Sequence, residues 1–305
     1  MPEVVALLDL GSNALRLVLA RIRPGRGFAI LEEERVPTRL ASGAQGILPD
    51  AAVRKTLRAI AAFIEPARRR GIARVIALAT AAVREANNAE DLLEPLRQRY
   101  RADVRVLSGQ EEARLGARAV LASLPIENGV VVDLGGGSLQ VTRIRDGEPG
   151  VGASLSLGAV RMTARFLRHD PPASGEVRAL RREVRERAAG VLPRADDSAP
   201  LIGLGGTIHA LARIARGGRR GKKIHGARLA LSEVVTIGER LASLSLRQRR
   251  AVEGLKSDRA DIVVAGAVIV EELMRLGGYE RLVVCAHGVR YGTLVEEAFG
   301  RMAPA

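Results

Sequence analysis

Two short acidic motifs combine the residue types that a phosphate-binding site needs. Asp-Leu-Gly occurs at residues 9–11, followed by Ser-Asn, and again at residues 133–135, followed by Gly-Gly-Ser. Glycines let the backbone approach a ligand, and consecutive N–H groups in such a turn suit phosphate oxygens. Asp9 and Asp133 offer the oxygen ligands that a hydrated Mg²⁺ prefers. One copy would be explained as an ordinary hairpin turn, but two copies favour a shared function.

Both motifs lie between stretches that are typical of β-strands. Apolar residues precede each aspartate, and an alternating apolar and polar stretch follows each turn, over residues 7–22 and 130–144. This pattern around a glycine-rich turn predicts a β-hairpin in each place. The repeat therefore predicts two similar domains that face each other across one phosphate.

A third glycine-rich turn lies in the segment PLIGLGGTIHALARI, residues 200–214. A helix N-terminus after such a turn binds anions through its free amides, so we interpret the segment as a phosphate or nucleotide loop. It is not a dinucleotide fingerprint, because Ile208 occupies the place of the third glycine. The chain also lacks the Gly-Lys-Ser/Thr of a P-loop.

The remaining pattern predicts an α/β fold of two domains. Strand patterns alternate with helix patterns, among them a helix that opens at Asp50 and one over residues 108–124. Ser108 and Glu111 form a capping-box pattern, which places Glu112 in the first turn of that helix, where the dipole favours an ionised acid. We predict domains 1–125 and 126–305, with a terminal helix at about 293–305 packing back on the first domain.

Composition restricts the location and the chemistry of the protein. The 305 residues are 47% hydrophobic, enough for a large core, and no apolar run reaches the length of a membrane span. We predict a cytoplasmic protein, because the N-terminus lacks a secretory signal and Cys285 has no partner for a disulfide. The four histidines show no metal-ligand spacing, and we interpret them as surface or packing residues.

A net charge of +14 favours a polyanionic ligand. Aromatic residues make up only 2% of the chain, so stacking on single-stranded nucleic acid is not expected. Basic residues are concentrated in the segment 216–228 and on the helix pattern of residues 174–192, and an arginine-rich solvated surface is an equal alternative to a binding track. The predicted polyanion track consists of Arg219, Arg220, Lys222 and Lys223, with Arg178, Arg181, Arg182 and Arg185 beside it.

Eight segments occur in one order along the chain and together resemble one enzyme family. They are DLGSN, ATAAVREANN, SGQEEARL, VVDLGGGS, SLSLGAVRMT, GLGGT, RADIVVAGA and HGVRYG. They resemble the exopolyphosphatase / guanosine pentaphosphate phosphohydrolase (Ppx/GppA) family over nearly the whole chain. The resemblance implies an actin-like fold of two ribonuclease-H-like domains that flank an active-site cleft. It also implies Mg²⁺, or alternatively Mn²⁺, as the cofactor.

The resemblance assigns roles to single residues. Glu112 matches the catalytic base, Asp133 the second-domain carboxylate linked to metal and water, and Asp9 the first-domain acid beside the metal, so the implied metal set is Asp9, Asp133 and Glu112. The phosphate-binding residues of the family match Gly11, Ser12, Asn13, Arg16, Arg84, Gly135, Gly136, Gly137, Ser138, Gly205, Gly206 and Thr207. The chain departs from the family pattern at Ala14, Ser257 and Tyr291, and Tyr291 stands where the family has a glutamate. The C-terminal HD-type extension of longer members is not expected.

The family resemblance implies a hydrolase, but it leaves the substrate open. We expect an exopolyphosphatase that releases orthophosphate from the end of inorganic polyphosphate, because a long polyanion gains most from a basic surface. The alternatives are removal of the 5′ γ-phosphate from guanosine pentaphosphate and non-catalytic binding of a polyanion or nucleic acid. A sugar kinase of the same superfamily is a weaker alternative, since the acceptor-sugar motifs are absent. A homodimer is a further expectation.

Overall fold

The computed structural model describes residues 1–43, 46–195, 199–218 and 223–300. The chain divides into two compact units: unit 1 is Met1–Leu115 with Val289–Ala305, and unit 2 is Gly116–Gly288. The first division falls inside a helix, upstream of the boundary predicted after residue 125. The last segment belongs to unit 1 and contains a helix, Val289–Phe299, in part of the region where the terminal helix is predicted; residues 301–305 lie outside the described residues.

Unit 1 begins with the predicted hairpin and then alternates helices and strands. The helix predicted from Asp50 starts there, and the capping box is present, with the Ser108 N–H donating to Glu111 Oε2 over 2.8 Å and the Glu111 N–H to Ser108 Oγ over 3.1 Å. The elements of this part are β1 (Glu3–Leu10), β2 (Leu15–Arg23), β3 (Gly27–Val36), a 3-10 turn (Leu40–Ser42), α1 (Asp50–Arg68), β4 (Arg74–Ala79), α2 (Ala81–Arg84), α3 (Glu90–Tyr100), β5 (Asp103–Val106) and α4 (Gly109–Leu121).

The described strands of unit 1 form one sheet in the order β3-β2-β1-β4-β5. β1, β2 and β3 are antiparallel neighbours, whereas β4 and β5 run parallel to β1. Side chains alternate between the two faces of a strand, so one face packs Ala6 and Leu8 against α1 and α3, and the other packs Val5 and Leu7 against Leu115. Asp9 follows Val5 and Leu7 on the same side of β1, and it therefore lies at the carboxyl edge of the face that packs against Leu115.

Unit 2 has the second hairpin followed by alternating helices and strands. Its elements are β6 (Gly129–Leu134), β7 (Leu139–Arg145), β8 (Glu148–Pro149), β9 (Ala153–Leu155), α5 (Ala159–Phe166), α6 (Ser174–Ala188), β10 (Leu201–Leu204), α7 (Gly206–Ala215), β11 (Arg228–Ala230), α8 (Leu231–Ser243), α9 (Leu246–Arg250), a 3-10 turn (Ser257–Arg259), α10 (Val263–Gly277) and β12 (Arg281–Val284). The chain then returns to unit 1 as α11 (Val289–Phe299).

The sheet of unit 2 repeats the strand plan of unit 1. Its described strands run in the order β11-β12-β10-β6-β7-β8, with β9 also paired to β7. The hairpin β6-β7 is antiparallel, while β10 and β12 extend the sheet in parallel on the other side of β6. In both units the first strand lies between its hairpin partner and a parallel strand, which is the ribonuclease-H-like plan that the family resemblance implied.

Ion pairs hold α11 to the strands of unit 1. Glu297 pairs with Arg74 and Arg105, each at 2.8 Å. Burial alone would raise the pKa of Glu297, but hydrogen bonds from the two arginines outweigh it and lower that pKa. Cys285 lies in the core of unit 2 as predicted, and burial raises the pKa of its thiol. In the described ranges no helix is both long and apolar enough to cross a membrane.

Candidate active site

The turn after β1 presents its amides at the carboxyl edge of the unit 1 sheet. The carbonyl oxygens of Ser12 and Asn13 accept hydrogen bonds from the Ala41 and Arg39 N–H groups, at 3.0 and 3.1 Å. In a planar trans peptide the N–H points opposite to the carbonyl, so the N–H groups of Asn13 and Ala14 face away from residues 39–41. Two consecutive N–H groups of the turn therefore point away from residues 39–41, which hold it in place, and such a pair of N–H groups can bind an anion.

Two polar side chains in this turn are buried. Ser12 is 5% exposed and Asn13 is 8% exposed. The Asn13 Nδ2 atom is buried and has no hydrogen-bond partner among the described residues. A buried amide donor without an acceptor costs free energy, and a ligand oxygen would satisfy it. This orphan donor fits the predicted phosphate loop.

Charged side chains form a row beside the turn, on the face of the sheet that carries Asp9. In the strand register Asp9 stands opposite Arg16, and Arg16 stands opposite Arg35. Arg290 of α11 donates from Nη1 to Asp9 Oδ2 over 3.1 Å and from Nη2 to Glu33 Oε1 over 3.0 Å. Arg16 Nη1 lies 3.5 Å from the same Glu33 oxygen. The structure thus pairs both Asp9 and Arg16 with groups that were not in the predicted site.

Glu112 lies at the same carboxyl edge of unit 1, in the first turn of α4. Its side chain is buried, and Arg84 Nη1 donates to its Oε1 atom. The same Arg84 nitrogen donates to the Leu107 carbonyl, and the Leu107 N–H donates to Ala79 O at the end of β4 over 2.9 Å. Arg84, predicted to bind phosphate, therefore holds Glu112 in place, while Glu111 on the same turn serves as the cap.

The carboxylate of Asp133 in unit 2 is surrounded by glycines. A Cβ atom added at Gly205 would lie 3.1 Å from Asp133 Oδ1, and one added at Gly116 or Gly288 would lie 3.7 Å from Oδ2. Gly205 also has φ +97°, a conformation that L side chains rarely adopt, and its Cβ would lie 2.2 Å from Leu134 O. The three glycines come from distant segments, and a side chain at any of them would come within 4 Å of this carboxylate.

The turn after β6 has the same design as the turn after β1. The carbonyl oxygens of Gly135 and Gly136 accept from the first N–H groups of α5, and Gly137 O accepts from Arg161 Nε over 2.9 Å. In each of these three peptide groups the N–H points opposite to the carbonyl. The N–H groups of Gly136, Gly137 and Ser138 therefore face away from α5. Ser138 Oγ accepts a hydrogen bond from Gln140 over 2.8 Å, which fixes the end of the turn.

The third predicted turn lies next to Asp133 in unit 2. β10 is parallel to β6, with Leu204 opposite Asp133, so Gly205, Gly206 and Thr207 follow at the same carboxyl edge. Gly206 begins α7, and a Cβ added there would lie 2.0 Å from Arg259 Nη2. The guanidinium of Arg259 thus rests on the glycine turn, where it adds positive charge to the helix N-terminus.

A divalent cation beside Asp133 would have few protein ligands. Within the described residues, no group of three His, Cys, Asp or Glu side chains is arranged to hold a metal. Mg²⁺ commonly takes one or two carboxylates and completes its shell with water and substrate phosphates. Asp133 would supply one such carboxylate, next to the glycine turn of residues 205–207.

The predicted polyanion track is only partly described. Arg219, Arg220 and Lys222 lie outside the described residues, and Lys223 accepts a hydrogen bond from Arg216 at its carbonyl. On the helix beside the track Arg178 and Arg182 are exposed, whereas Arg181 and Arg185 have acidic partners. Arg181 bonds to both Glu271 and Glu272 of α10, at 2.8 and 2.6 Å, and Arg185 bonds to Glu272 over 2.6 Å. Since both acids are buried, these two arginines support helix packing.

Sequence reasoning missed several residues of these sites. Glu33 and Arg290 join Asp9 through the register of β3 and the packing of α11, and neither contact has a local signal. Arg259 lies in the RADIVVAGA segment that carried the family resemblance, and that motif is the one signal in the sequence that points to this residue. Tyr291, one of the three departures from the family pattern, packs edge-on against Phe28 with ring centroids 4.9 Å apart.

Each unit thus has an aspartate and an amide-rich turn at the carboxyl edge of a ribonuclease-H-like sheet. Amides, arginines and a hard carboxylate are the groups that bind and polarise phosphoryl oxygens. The fold and the side chains therefore define a phosphoryl-binding α/β protein.

Comparisons with known proteins identify the family within this class. The model of the Ppx/GppA phosphatase family matches residues 18–299. Exopolyphosphatase 2 of Mycobacterium tuberculosis is 32% identical over 94% of this chain and 96% of its own, and exopolyphosphatase 1 of that organism is 30% identical over 96% and 88%. The crystal structure of the Aquifex aeolicus Ppx/GppA family member is 28% identical and covers 97% of this chain and 98% of its own, with a TM-score of 0.82. This chain belongs to the Ppx/GppA phosphatase family and is a hydrolase of phosphoanhydride bonds.

Proposed function

We propose that this phosphatase is an exopolyphosphatase, which releases orthophosphate from the end of inorganic polyphosphate. The observation that carries the proposal is the buried Glu112 carboxylate, which Arg84 holds at the carboxyl edge of unit 1. A positioned carboxylate is what phosphoryl transfer to water requires, besides charge neutralisation and alignment. The names of the two Mycobacterium tuberculosis relatives support polyphosphate as the substrate.

In the proposed mechanism Glu112 orients the attacking water and accepts its proton. Arg84 fixes the direction of this carboxylate, and the amides of residues 13–14 and the Asn13 side chain bind oxygens of the terminal phosphate. Fixed donors of this kind stabilise charge that develops in the transition state without having to reorganise. The shortened polyphosphate chain leaves with the bridging oxygen.

The residues of unit 2 act on the phosphates in the same proposal. The amides of residues 136–138 and of the turn at Gly205 bind phosphate oxygens, and Arg259 adds positive charge there. Asp133 would hold Mg²⁺, or Mn²⁺, which when bound supplies charge neutralisation for the phosphate oxygens.

Guanosine pentaphosphate is the second candidate substrate. It shares the phosphoanhydride chemistry, and the family name includes this activity. The charge of +14 favours the polymer, because a long polyanion gains from basic residues well beyond the reacting phosphate. A nucleotide needs only a local cluster of positive charge.

The test compares phosphate release from long-chain polyphosphate and from guanosine pentaphosphate, side by side with Mg²⁺. We expect a higher kcat/KM for polyphosphate. A preference for the nucleotide would replace the proposal by the second candidate. Binding of polyphosphate without release of phosphate from either compound would show a non-catalytic polyanion binder.

A further inference from the structure

Glu33 is a carboxylate that the proposed chemistry does not use. Its Oε1 atom lies between two guanidinium groups, 3.0 Å from Arg290 Nη2 and 3.5 Å from Arg16 Nη1. Arg290 also holds Asp9. The carboxylate therefore occupies the position in which an anion would bind both arginines together.

The contacts of Glu33 and Asp9 join two cations and two anions, and Arg35 is a further cation opposite Arg16. Arg16 and Arg290 contribute two positive charges, and Asp9 and Glu33 contribute two negative ones. The two acids differ in exposure, with 41% of the Glu33 side chain exposed and only 16% of Asp9. Glu33 also lies on β3, which is an edge strand of the sheet. Glu33 is therefore the acid that can leave the arginines without opening the core.

We infer that Glu33 is an internal counter-anion, which competes with phosphate for Arg16 and Arg290 and thereby limits phosphate affinity. This inference rests on the proposed function for the identity of the anion. An incoming terminal phosphate displaces the Glu33 carboxylate, and the return of the carboxylate helps to expel orthophosphate. A site that bound the product as tightly as it could would release it slowly.

A purely structural role for Glu33 makes the opposite prediction. Arg16 and Arg35 stand opposite each other on neighbouring strands, and like charges in that position repel. If Glu33 served only to relieve this repulsion, its loss would misplace Arg16 and weaken phosphate binding. The sign of the change in affinity therefore distinguishes the two roles.

The test uses Glu33→Gln, which keeps the shape of the side chain and removes its charge. We expect the inhibition constant of orthophosphate and the KM of polyphosphate to fall by about 3- to 10-fold at low ionic strength, since each ion pair of this exposure contributes little alone. The turnover number should fall as well, because the product leaves more slowly. Glu33→Asp restores the charge and should return both constants towards those of the wild type.

Glu34→Gln is the matched control. It removes the same formal charge from the next position of β3, but Glu34 stands opposite Leu17 and so lies on the other face of the strand. In this control the inhibition constant of orthophosphate should stay within about 2-fold of the wild-type value, because a charge on the other face acts only over a long, screened distance.

Equilibrium binding of tripolyphosphate by calorimetry separates this inference from the proposed function, because it needs no turnover. Tighter binding by Glu33→Gln supports the counter-anion role even if the wild type proves to hydrolyse another compound. Unchanged or weaker binding by Glu33→Gln, or an equal gain in Glu34→Gln, would overturn the inference.

Discussion

Glu112 and Glu111 are neighbours in one helical turn, yet they have different partners. Glu111 completes the capping box with Ser108, whereas Glu112 is buried against Arg84. In Glu112→Gln the amide oxygen can still accept the hydrogen bond from Arg84, but the side chain can no longer take a proton from water. We expect kcat to fall by about 10²- to 10⁴-fold with little change in polyphosphate binding. Phosphate release under saturating substrate measures this.

Glu111→Gln is the natural control for that variant. Glutamine can replace glutamate in a capping box, so helix α4 should form and kcat should stay within a few-fold of the wild type. Near-normal turnover in Glu112→Gln, or an equal loss in both variants, would contradict the assignment of Glu112 as the base.

Removing the negative charge of Asp133 should weaken the binding of a divalent cation. In Asp133→Asn the carboxylate becomes an amide of nearly the same size, so the side chain should fit the same space between the glycines. We expect weaker binding of Mn²⁺ and a higher Mg²⁺ requirement for activity, because the amide is a poorer ligand for a hard cation. Electron paramagnetic resonance of free Mn²⁺ reports the first effect without turnover. Identical Mn²⁺ titrations of the two proteins would exclude Asp133 as a ligand.

Helices α6 and α10 of unit 2 are joined by a buried charge network. Glu271 is 3% exposed, and burial alone would raise its pKa, but hydrogen bonds from Arg181 and Arg275 outweigh burial and lower that pKa. The unfolded chain keeps the ordinary value of 4.5. A carboxylate with a lowered pKa in the folded state contributes stability above pH 4.5, and this contribution is lost as the pH falls through the lower, folded-state pKa.

Glu271→Gln should therefore destabilise the protein mainly at neutral pH. We expect a loss of about 1–3 kcal/mol at pH 7, since Arg181 loses one of its two charged partners, and a smaller loss near pH 3. Urea unfolding of both proteins at the two pH values measures the difference. Glu183→Gln is the control. Glu183 lies on α6, and its side chain is more exposed than that of Glu271. An equal loss at both pH values would show that packing rather than charge dominates at Glu271.

At the scale of the whole molecule, the charge of +14 raises the question of which basic residues meet the substrate. The ion pairs of Arg181 and Arg185 remove those two arginines from the predicted track. The segment 216–228 remains the candidate together with the exposed Arg178 and Arg182. Arg219, Arg220 and Lys222 lie outside the described residues, and Lys223 lies within them.

Changing Arg219, Arg220, Lys222 and Lys223 together to Gln should raise the KM for long polyphosphate and leave short chains nearly unaffected. Binding of long chains should also depend less on salt, because fewer counterions are displaced. KM measured against chain length at two ionic strengths tests both effects. The same change at every chain length, or none, would make the segment an ordinary solvated surface and would favour the nucleotide as substrate.

Local patterns in the sequence predicted much of the fold and the core of the site. The two Asp-Leu-Gly hairpins, the start of α1 and the capping box of α4 are set by residues close together in the chain, and the structure has all of them. The amide turns and the position of Glu112 in its helical turn follow from the same short-range rules. The family resemblance then supplied the roles that short-range rules cannot give.

The tertiary structure alone decided which charges meet. Arg290 reaches Asp9 across 281 residues and Glu33 across 257, and three glycines from separate segments surround Asp133. Arg84 bonds to Glu112, and Arg181 bonds to buried acids of α10, although no local pattern indicates that these basic residues have acidic partners. Periodicity shows which face of an element a residue lies on. Strand register and helix packing determine what lies opposite it, and these depend on contacts between residues that are far apart in the chain.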